Sequence, residues 1–176
     1  MLLIALGFVS TLLAEKVEVG KVIPNLHISE KEGGYVEGGD FNSDDLRGKI
    51  YAIMFADPDE KDSGEPLNDA LKIAKEGFPE GTFKSAVIIN MAATWKPNWI
   101  ISKILKSKQE KFPGAVFIKD EASITVNEWG LKDNAYECLV IDEKGTLLHR
   151  KEGPYTPEEI KTIIALINEK THSLVQ

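Results

Sequence analysis

The sequence predicts an α/β fold in which a buried central strand lies between layers of helix. The first observation is the apolar run at residues 50–55, which is bounded by Gly48 and Pro58 and is too short for a buried helix. Such a run is typical of a strand that is covered on both faces. The second observation is that strand-like and helix-like segments alternate after it, which favours parallel strands joined by helices. At 176 residues, we expect one domain.

Short strands are predicted ahead of the central strand. Residues 17–22, 25–29 and 35–37 have strand character, and Gly33 and Gly34 lie between the last two segments. Glycines at such a place are typical of a tight turn between antiparallel strands. We therefore expect an N-terminal β-hairpin extension before the central sheet.

Helices and strands alternate after the central strand. Residues 65–75 have apolar side chains at helical spacing, and Asp62 or Ser63 is available as the N-cap. Residues 86–90 predict a second buried strand, parallel to the first. Residues 95–111 predict a second helix that is opened by Pro97 or Asn98. Its expected apolar face consists of Trp99, Ile100, Ile101, Ile104 and Leu105.

The C-terminal third predicts a strand at residues 115–119, a short helix at 124–129 and a hairpin formed by 137–142 and 146–150. A final helix follows. Thr156 is its expected N-cap, and Glu159 three residues later completes a capping box.

Charge and cysteine content exclude several classes of function. The chain has 21 basic and 28 acidic residues, and its net charge of −7 repels nucleic acid and anionic membrane at long range. Cys138 is the single cysteine, so the chain has no internal disulfide. The three histidines have no metal-type spacing, and no phosphate loop or serine nucleophile motif is present. We therefore predict no cofactor and no metal, and we expect a monomer.

Residues 1–14 contain no charged residue and end in Thr-Leu-Leu-Ala. This pattern predicts a secretory signal peptide that is cleaved after Ala14, with the folded domain at residues 15–176. The alternative is a buried first element or an anchor, although the run is short for a bilayer span. No membrane span would remain after cleavage.

A set of short motifs extends over almost the whole chain from Glu15 onward. They are Gly20-Lys-Val-Ile-Pro24, Tyr35-Val-Glu-Gly-Gly-Asp-Phe41, Glu65-Pro-Leu67, Ile88-Ile-Asn90, Trp129-Gly-Leu-Lys132 and Thr156-Pro-Glu-Glu159. Together with the order of elements, they resemble the YtfJ family of bacterial thioredoxin-fold proteins. The resemblance implies a thioredoxin-like three-layer α/β/α sandwich with a mixed central sheet, and a periplasmic or secreted location. It implies no particular reaction.

In active thioredoxin-like enzymes, two cysteines open the first helix, whose N-terminus stabilises the attacking thiolate. Here residues 56–66 contain no cysteine, and the proline that normally precedes the third sheet strand is replaced near Tyr136. Dithiol exchange needs a second sulfur, so we expect no such activity. Cys138 is expected to be an inert buried residue; the alternative is a single-cysteine thiol peroxidase or redox sensor.

Four other residues are candidates for ligand binding. Asp57 and Asp59 lie in an acidic loop after the central strand, and Trp95 lies in a loop after the second strand. By analogy with the fold, these residues and Tyr136 would line a cleft at the carboxyl ends of the strands. The acidic loop does not match an EF-hand, so a solvated loop is preferred to a weak divalent-cation site.

The sequence therefore favours a non-redox periplasmic protein that acts as a binding or accessory module. Its expected partner is an envelope protein or a small ligand. The competing hypothesis is an enzyme that uses Cys138.

Overall fold

A computed structural model of the protein describes residues 16–176. The signal peptide predicted at residues 1–14 lies outside this part of the chain. Within residues 16–176, no helix combines the length and the apolar character needed to cross a bilayer.

The described chain contains short and long strands interleaved with helices. The strands are β1 (His27–Ile28), β2 (Gly33–Tyr35), β3 (Phe41–Asn42), β4 (Ile50–Ala56), β5 (Phe83–Asn90), β6 (Ala115–Asp120), β7 (Tyr136–Ile141) and β8 (Leu147–Glu152). The helices are α1 (Glu65–Ala74), α2 (Asn98–Lys111), α3 (Ile124–Trp129) and α4 (Pro157–Ser173).

The main sheet has six strands in the order β2-β6-β5-β4-β7-β8. β4 pairs in parallel with β5 and antiparallel with β7, so the sheet is mixed, as predicted. All seven residues of β4 are buried. Because a strand in this position has no solvent-facing side, its sequence is a continuous apolar run instead of an alternating one.

Two cores lie on opposite faces of the sheet. On one face, Phe55 and Ile88 pack with Trp129 of α3 and with the N-terminal segment. On the other face, α1, α2 and α4 pack through residues such as Leu71 and Ile163. The predicted three-layer α/β/α arrangement is therefore confirmed.

The N-terminal extension differs from the predicted hairpin. β1 and β2 do not pair with each other: β1 pairs with β3, and β2 joins the main sheet beside β6. Gly33, predicted in a turn, is instead a strand residue opposite Asp120. A Cβ at Gly33 would lie 2.1 Å from the Lys119 carbonyl oxygen, so the glycine is required by this close approach.

The start of α4 is fixed by the predicted capping box. The Thr156 hydroxyl oxygen accepts a hydrogen bond from the Glu159 backbone N–H at 3.3 Å, and the Glu159 carboxylate accepts one from the Thr156 N–H at 2.9 Å. Ile163 and Ile167 then face the core. The cap satisfies two backbone donors that the helix itself leaves unpaired.

Replacing the cap in Thr156→Ala should lower the free energy of unfolding by about 1 kcal/mol, because the Glu159 backbone donor loses its acceptor. Urea denaturation of the variant and the wild type measures this difference. Thr156→Ser keeps the hydroxyl and should stay close to the wild type. Equal destabilisation by both substitutions would mean that the cap does not stabilise α4.

Candidate functional site

The segment between β4 and α1 is the place where active thioredoxin-like enzymes carry their two cysteines. A short 3₁₀ turn at Lys61–Gly64 leads directly into α1. Gly64 is the N-cap of α1, so neither Asp62 nor Ser63 takes the predicted capping role. Residues 56–66 contain no sulfur that the N-terminus of α1 could activate.

The side chain of Tyr136 fills the space beside the first turn of α1. A Cβ on Gly64 would lie 1.9 Å from the Tyr136 ring, so the ring packs directly on the glycine backbone. The Tyr136 hydroxyl donates a hydrogen bond of 2.9 Å to Oδ1 of Asn68 in α1. The Tyr155 ring packs edge-to-face on Tyr136 at 6.0 Å. Tyr136 is only 3% exposed, so it closes this site.

Asp57 is buried directly after the end of β4. Its Oδ2 accepts a hydrogen bond of 3.2 Å from the Ala135 backbone N–H, whereas its Oδ1 has no hydrogen-bond partner among residues 16–176. Burial, reinforced by the nearby Asp133 carboxylate, raises the pKa of Asp57 to about 6, although the neighbouring Asn90 amide partly offsets the rise.

Asn90 connects Asp57 to a wider polar cluster at the carboxyl ends of the strands. The fully buried Asn90 amide donates to Asp133 Oδ1 at 3.2 Å, and its Oδ1 accepts a hydrogen bond of 3.0 Å from the Ser123 hydroxyl. Asp120 accepts hydrogen bonds from the Ile124 and Thr125 N–H groups and so caps α3. This cluster was not predicted from the sequence, because its members come from four separate segments of the chain.

Asp59 and Trp95 lie together on the surface. The Asp59 carboxylate forms an ion pair with Lys96 and accepts a hydrogen bond of 2.8 Å from the Thr94 hydroxyl. These interactions, the one with Lys96 first, lower the pKa of Asp59. Trp95 lies between these two partners in sequence and is 87% exposed.

The structure therefore divides the four predicted ligand residues among three places. Asp59 and Trp95 share an exposed loop edge, Asp57 belongs to a buried polar cluster, and Tyr136 packs against α1. They do not line one open cleft. A role in ligand binding for each of them stays a prediction.

Cys138 is completely buried among the residues that pack under α1 and α4. It pairs with Met54 across the β4–β7 ladder. Burial raises the pKa of the Cys138 thiol to about 12, so the thiolate form is scarce at neutral pH.

The predicted roles of two tryptophans have different outcomes. Trp129 is fully buried, as predicted, and its indole N–H donates a hydrogen bond of 2.9 Å to the Pro24 carbonyl. Trp99 was expected in the core but is 71% exposed, so that prediction was wrong. α2 begins at Asn98, one of the two predicted starting residues, and its buried face consists of Ile101, Leu105 and Gln109.

A cavity of about 820 Å³ lies between α1 and α2, on the helix-covered face of the sheet. Its floor is a row of side chains, Met54, Val87 and Phe117, which are paired neighbours on β4, β5 and β6. Tyr136 lines one end of the cavity. Its volume falls in the range of small-molecule sites. The cavity was not predicted from the sequence.

Within residues 16–176, His, Cys, Asp and Glu side chains form no group of three or more that could hold a metal ion. The acidic loop brings Asp59 to Lys96 instead of to other carboxylates. Two candidate sites therefore stand out: the cavity between α1 and α2, and the buried polar cluster around Asp57 and Asn90.

Asp57→Asn should raise the free energy of unfolding near pH 7. Because the pKa of Asp57 rises from 3.8 to about 6 on folding, the folded protein binds this proton more tightly than the unfolded chain. The stabilisation is present below about pH 4 and is lost as the pH rises through about 6. The neutral amide avoids this loss, a gain of roughly 2 kcal/mol at neutral pH. Urea denaturation across this pH interval measures it.

Asp59→Asn is the matched control in the same loop. Since Asp59 is exposed and surface ion pairs contribute little, its substitution should change stability by no more than about 1 kcal/mol. A loss of stability at pH 7 in Asp57→Asn, or an unchanged pH dependence, would contradict the prediction.

Comparison with known proteins relates this chain to a bacterial protein family. A family model described as "Bacterial protein of unknown function (YtfJ_HI0045)" matches residues 17–170. The protein named "Uncharacterized protein YtfJ" from Escherichia coli K12 is 24% identical over 164 residues, covering 89% of this chain and 88% of that protein.

Solved structures show the same fold at low sequence identity. A thiol peroxidase from Chromobacterium violaceum is 11% identical with a TM-score of 0.64, covering 89% of this chain and 90% of that one. Yeast Sco1 is 15% identical with a TM-score of 0.62, covering 87% of this chain and 96% of that one. The chain therefore belongs to the bacterial YtfJ family, and its fold is thioredoxin-like.

Proposed function

We propose that this protein is a non-redox binding module of the bacterial periplasm, which holds a small ligand on a thioredoxin-like scaffold. The observation that carries the proposal is the packing of Tyr136 on Gly64. This contact fills the position beside the first turn of α1 where the fold would otherwise present a reactive thiol. The scaffold is intact, but the position has no sulfur and is filled by the Tyr136 ring.

The cavity between α1 and α2 supports the binding part of the proposal. It has the volume of a small-molecule site and an apolar floor that spans three strands. Because the floor lies on paired strands, its shape is held by the sheet and does not depend on loop closure. A preformed surface of this kind reduces the entropic cost of binding.

The thiol peroxidase activity named for one of the structural neighbours does not transfer to this chain. The thiol peroxidase and Sco1 are at most 15% identical to it, which supports a shared fold and no shared reaction. The competing hypothesis of a peroxidase that uses Cys138 is disfavoured, since this thiol is buried and its pKa is raised to about 12.

Thiol reactivity tests the non-redox part of the proposal. Native protein should react slowly with a neutral-pH thiol reagent such as dithiobis-nitrobenzoate, because the reagent reaches Cys138 only when the structure opens. After denaturation in guanidinium chloride, one thiol per chain should react rapidly. Peroxide consumption by the native protein should equal that of Cys138→Ala, which has no sulfur nucleophile.

Fast modification of native Cys138, or peroxide consumption that the Cys138→Ala variant lacks, would overturn the proposal. Circular dichroism of the variant establishes that any loss of activity is not caused by unfolding.

Periplasmic location is a separate part of the proposal and rests on the uncharged apolar run at residues 1–14. Expression of the full chain in a bacterium should give a periplasmic product that begins at Glu15, as measured by intact mass. Leu6→Arg places a charge inside the apolar run and should leave the uncleaved chain in the cytoplasm. Wild-type protein that retains Met1 would contradict this part.

A further inference from the structure

We infer that the cavity between α1 and α2 binds a free single-chain carboxylate, an anionic amphiphile whose apolar chain lies along β5 and whose head meets the lysines at one end. The inference deepens the proposed function, because it names the class of ligand for the same binding module. It rests on the apolar floor, the length of the cavity and the charges at its two ends.

The floor is apolar and only partly covered. Met54 and Phe117 are nearly buried, but Val87 between them on β5 is half-buried, so the middle of the row faces the cavity. A core strand in the centre of a sheet normally buries such a residue completely. Apolar area left in a concave surface is a typical binding feature.

The cavity is elongated along β5. Phe83 and Ile89 both line it, and the six residue steps from one to the other span about 20 Å at roughly 3.3 Å per residue. Phe78 packs on Phe83 with ring centroids 5.2 Å apart, which extends the apolar wall at the amino end of the strand. This length accepts an extended acyl chain of medium length better than a compact ligand.

Positive charge is concentrated at the same amino end, where the last turns of α1 and α2 meet the cavity. The lysines that line it there are Lys72, Lys75, Lys84, Lys108 and Lys111. The ammonium groups of Lys72 and Lys111 lie 5.6 and 5.4 Å from the centroid of the Phe112 ring. These five lysines outnumber the carboxylates that line this end, although the chain as a whole has a net charge of −7.

Carboxylates at this end offset only part of the charge. Asp69 forms an ion pair of 2.6 Å with Lys72, and Glu76 and Glu80 also line the cavity. Within residues 16–176, neither Lys75 nor Lys108 has a carboxylate at ion-pair distance, so both are free to meet an anionic head. Toward Tyr136 the lining contains one lysine, Lys61, which is paired with Asp62.

Isothermal titration with sodium dodecanoate, kept below its critical micelle concentration, tests the inference on the purified protein. We expect saturable binding at one ligand per chain. Dodecyltrimethylammonium has the same chain and the opposite charge, and acetate has the head without the chain; both should bind at least tenfold more weakly. Added salt should weaken dodecanoate binding, because the lysines are exposed.

Two variants test separately the binding of the ligand's carboxylate head and of its alkyl chain. Lys108→Gln combined with Lys111→Gln should weaken dodecanoate binding about tenfold, or about 1.4 kcal/mol. The matched control is Lys103→Gln combined with Lys106→Gln, which makes the same charge change on the same helix but outside the cavity lining. Val87→Phe keeps the floor apolar but fills part of the cavity, so the folded variant should also bind dodecanoate more weakly.

The inference is overturned if dodecanoate does not bind, if dodecyltrimethylammonium binds equally well, or if the control pair of substitutions has the same effect as the cavity pair. Binding to anionic vesicles without binding of free dodecanoate would point to a membrane surface and would also overturn it. If one of these results is found and native Cys138 is unreactive, only the inference about the ligand fails and the proposed function stands. If native Cys138 is reactive, the proposed function fails whatever the titration shows.

Discussion

The complete burial of β4 is the constraint on which the rest of the structure depends. Its seven residues are covered on both faces, and it pairs with β5 on one side and β7 on the other. A strand of this kind cannot slip by one residue, because each position contacts a core. The register therefore fixes Asp57 beside Ala135, and it fixes Tyr136 opposite Ala56 at the first turn of α1.

The same register places Tyr136 against the first turn of α1. Tyr136 follows the place where a proline was expected, and its ring packs on Gly64 and bonds to Asn68. An aromatic ring at this point stabilises the packing of β7 against α1. Cys138, two residues further along β7, is fully buried in the same core.

Two features of the structure are not explained by the packing of the core. A buried carboxylate at Asp57 lies beside Asn90 and Asp133 with one oxygen unpaired within the described chain, which costs stability at neutral pH. The cavity between α1 and α2 leaves Val87 half-covered in the middle of the sheet. Natural proteins retain such costs mainly where function benefits from them. At the cavity, the incomplete burial of Val87 goes together with a volume that suits a small ligand.

The sequence by itself determined the α/β class, the central strand, the capping box of α4 and the burial of Trp129, because each depends on local spacing or on residues that are neighbours in the chain. Tertiary structure alone decided the pairing of Gly33 with β6, the exposure of Trp99 and the contact of Tyr136 with Gly64. These features depend on which distant segment covers a given face. Local periodicity shows that a face is apolar, but it does not show what packs on it or what is left open.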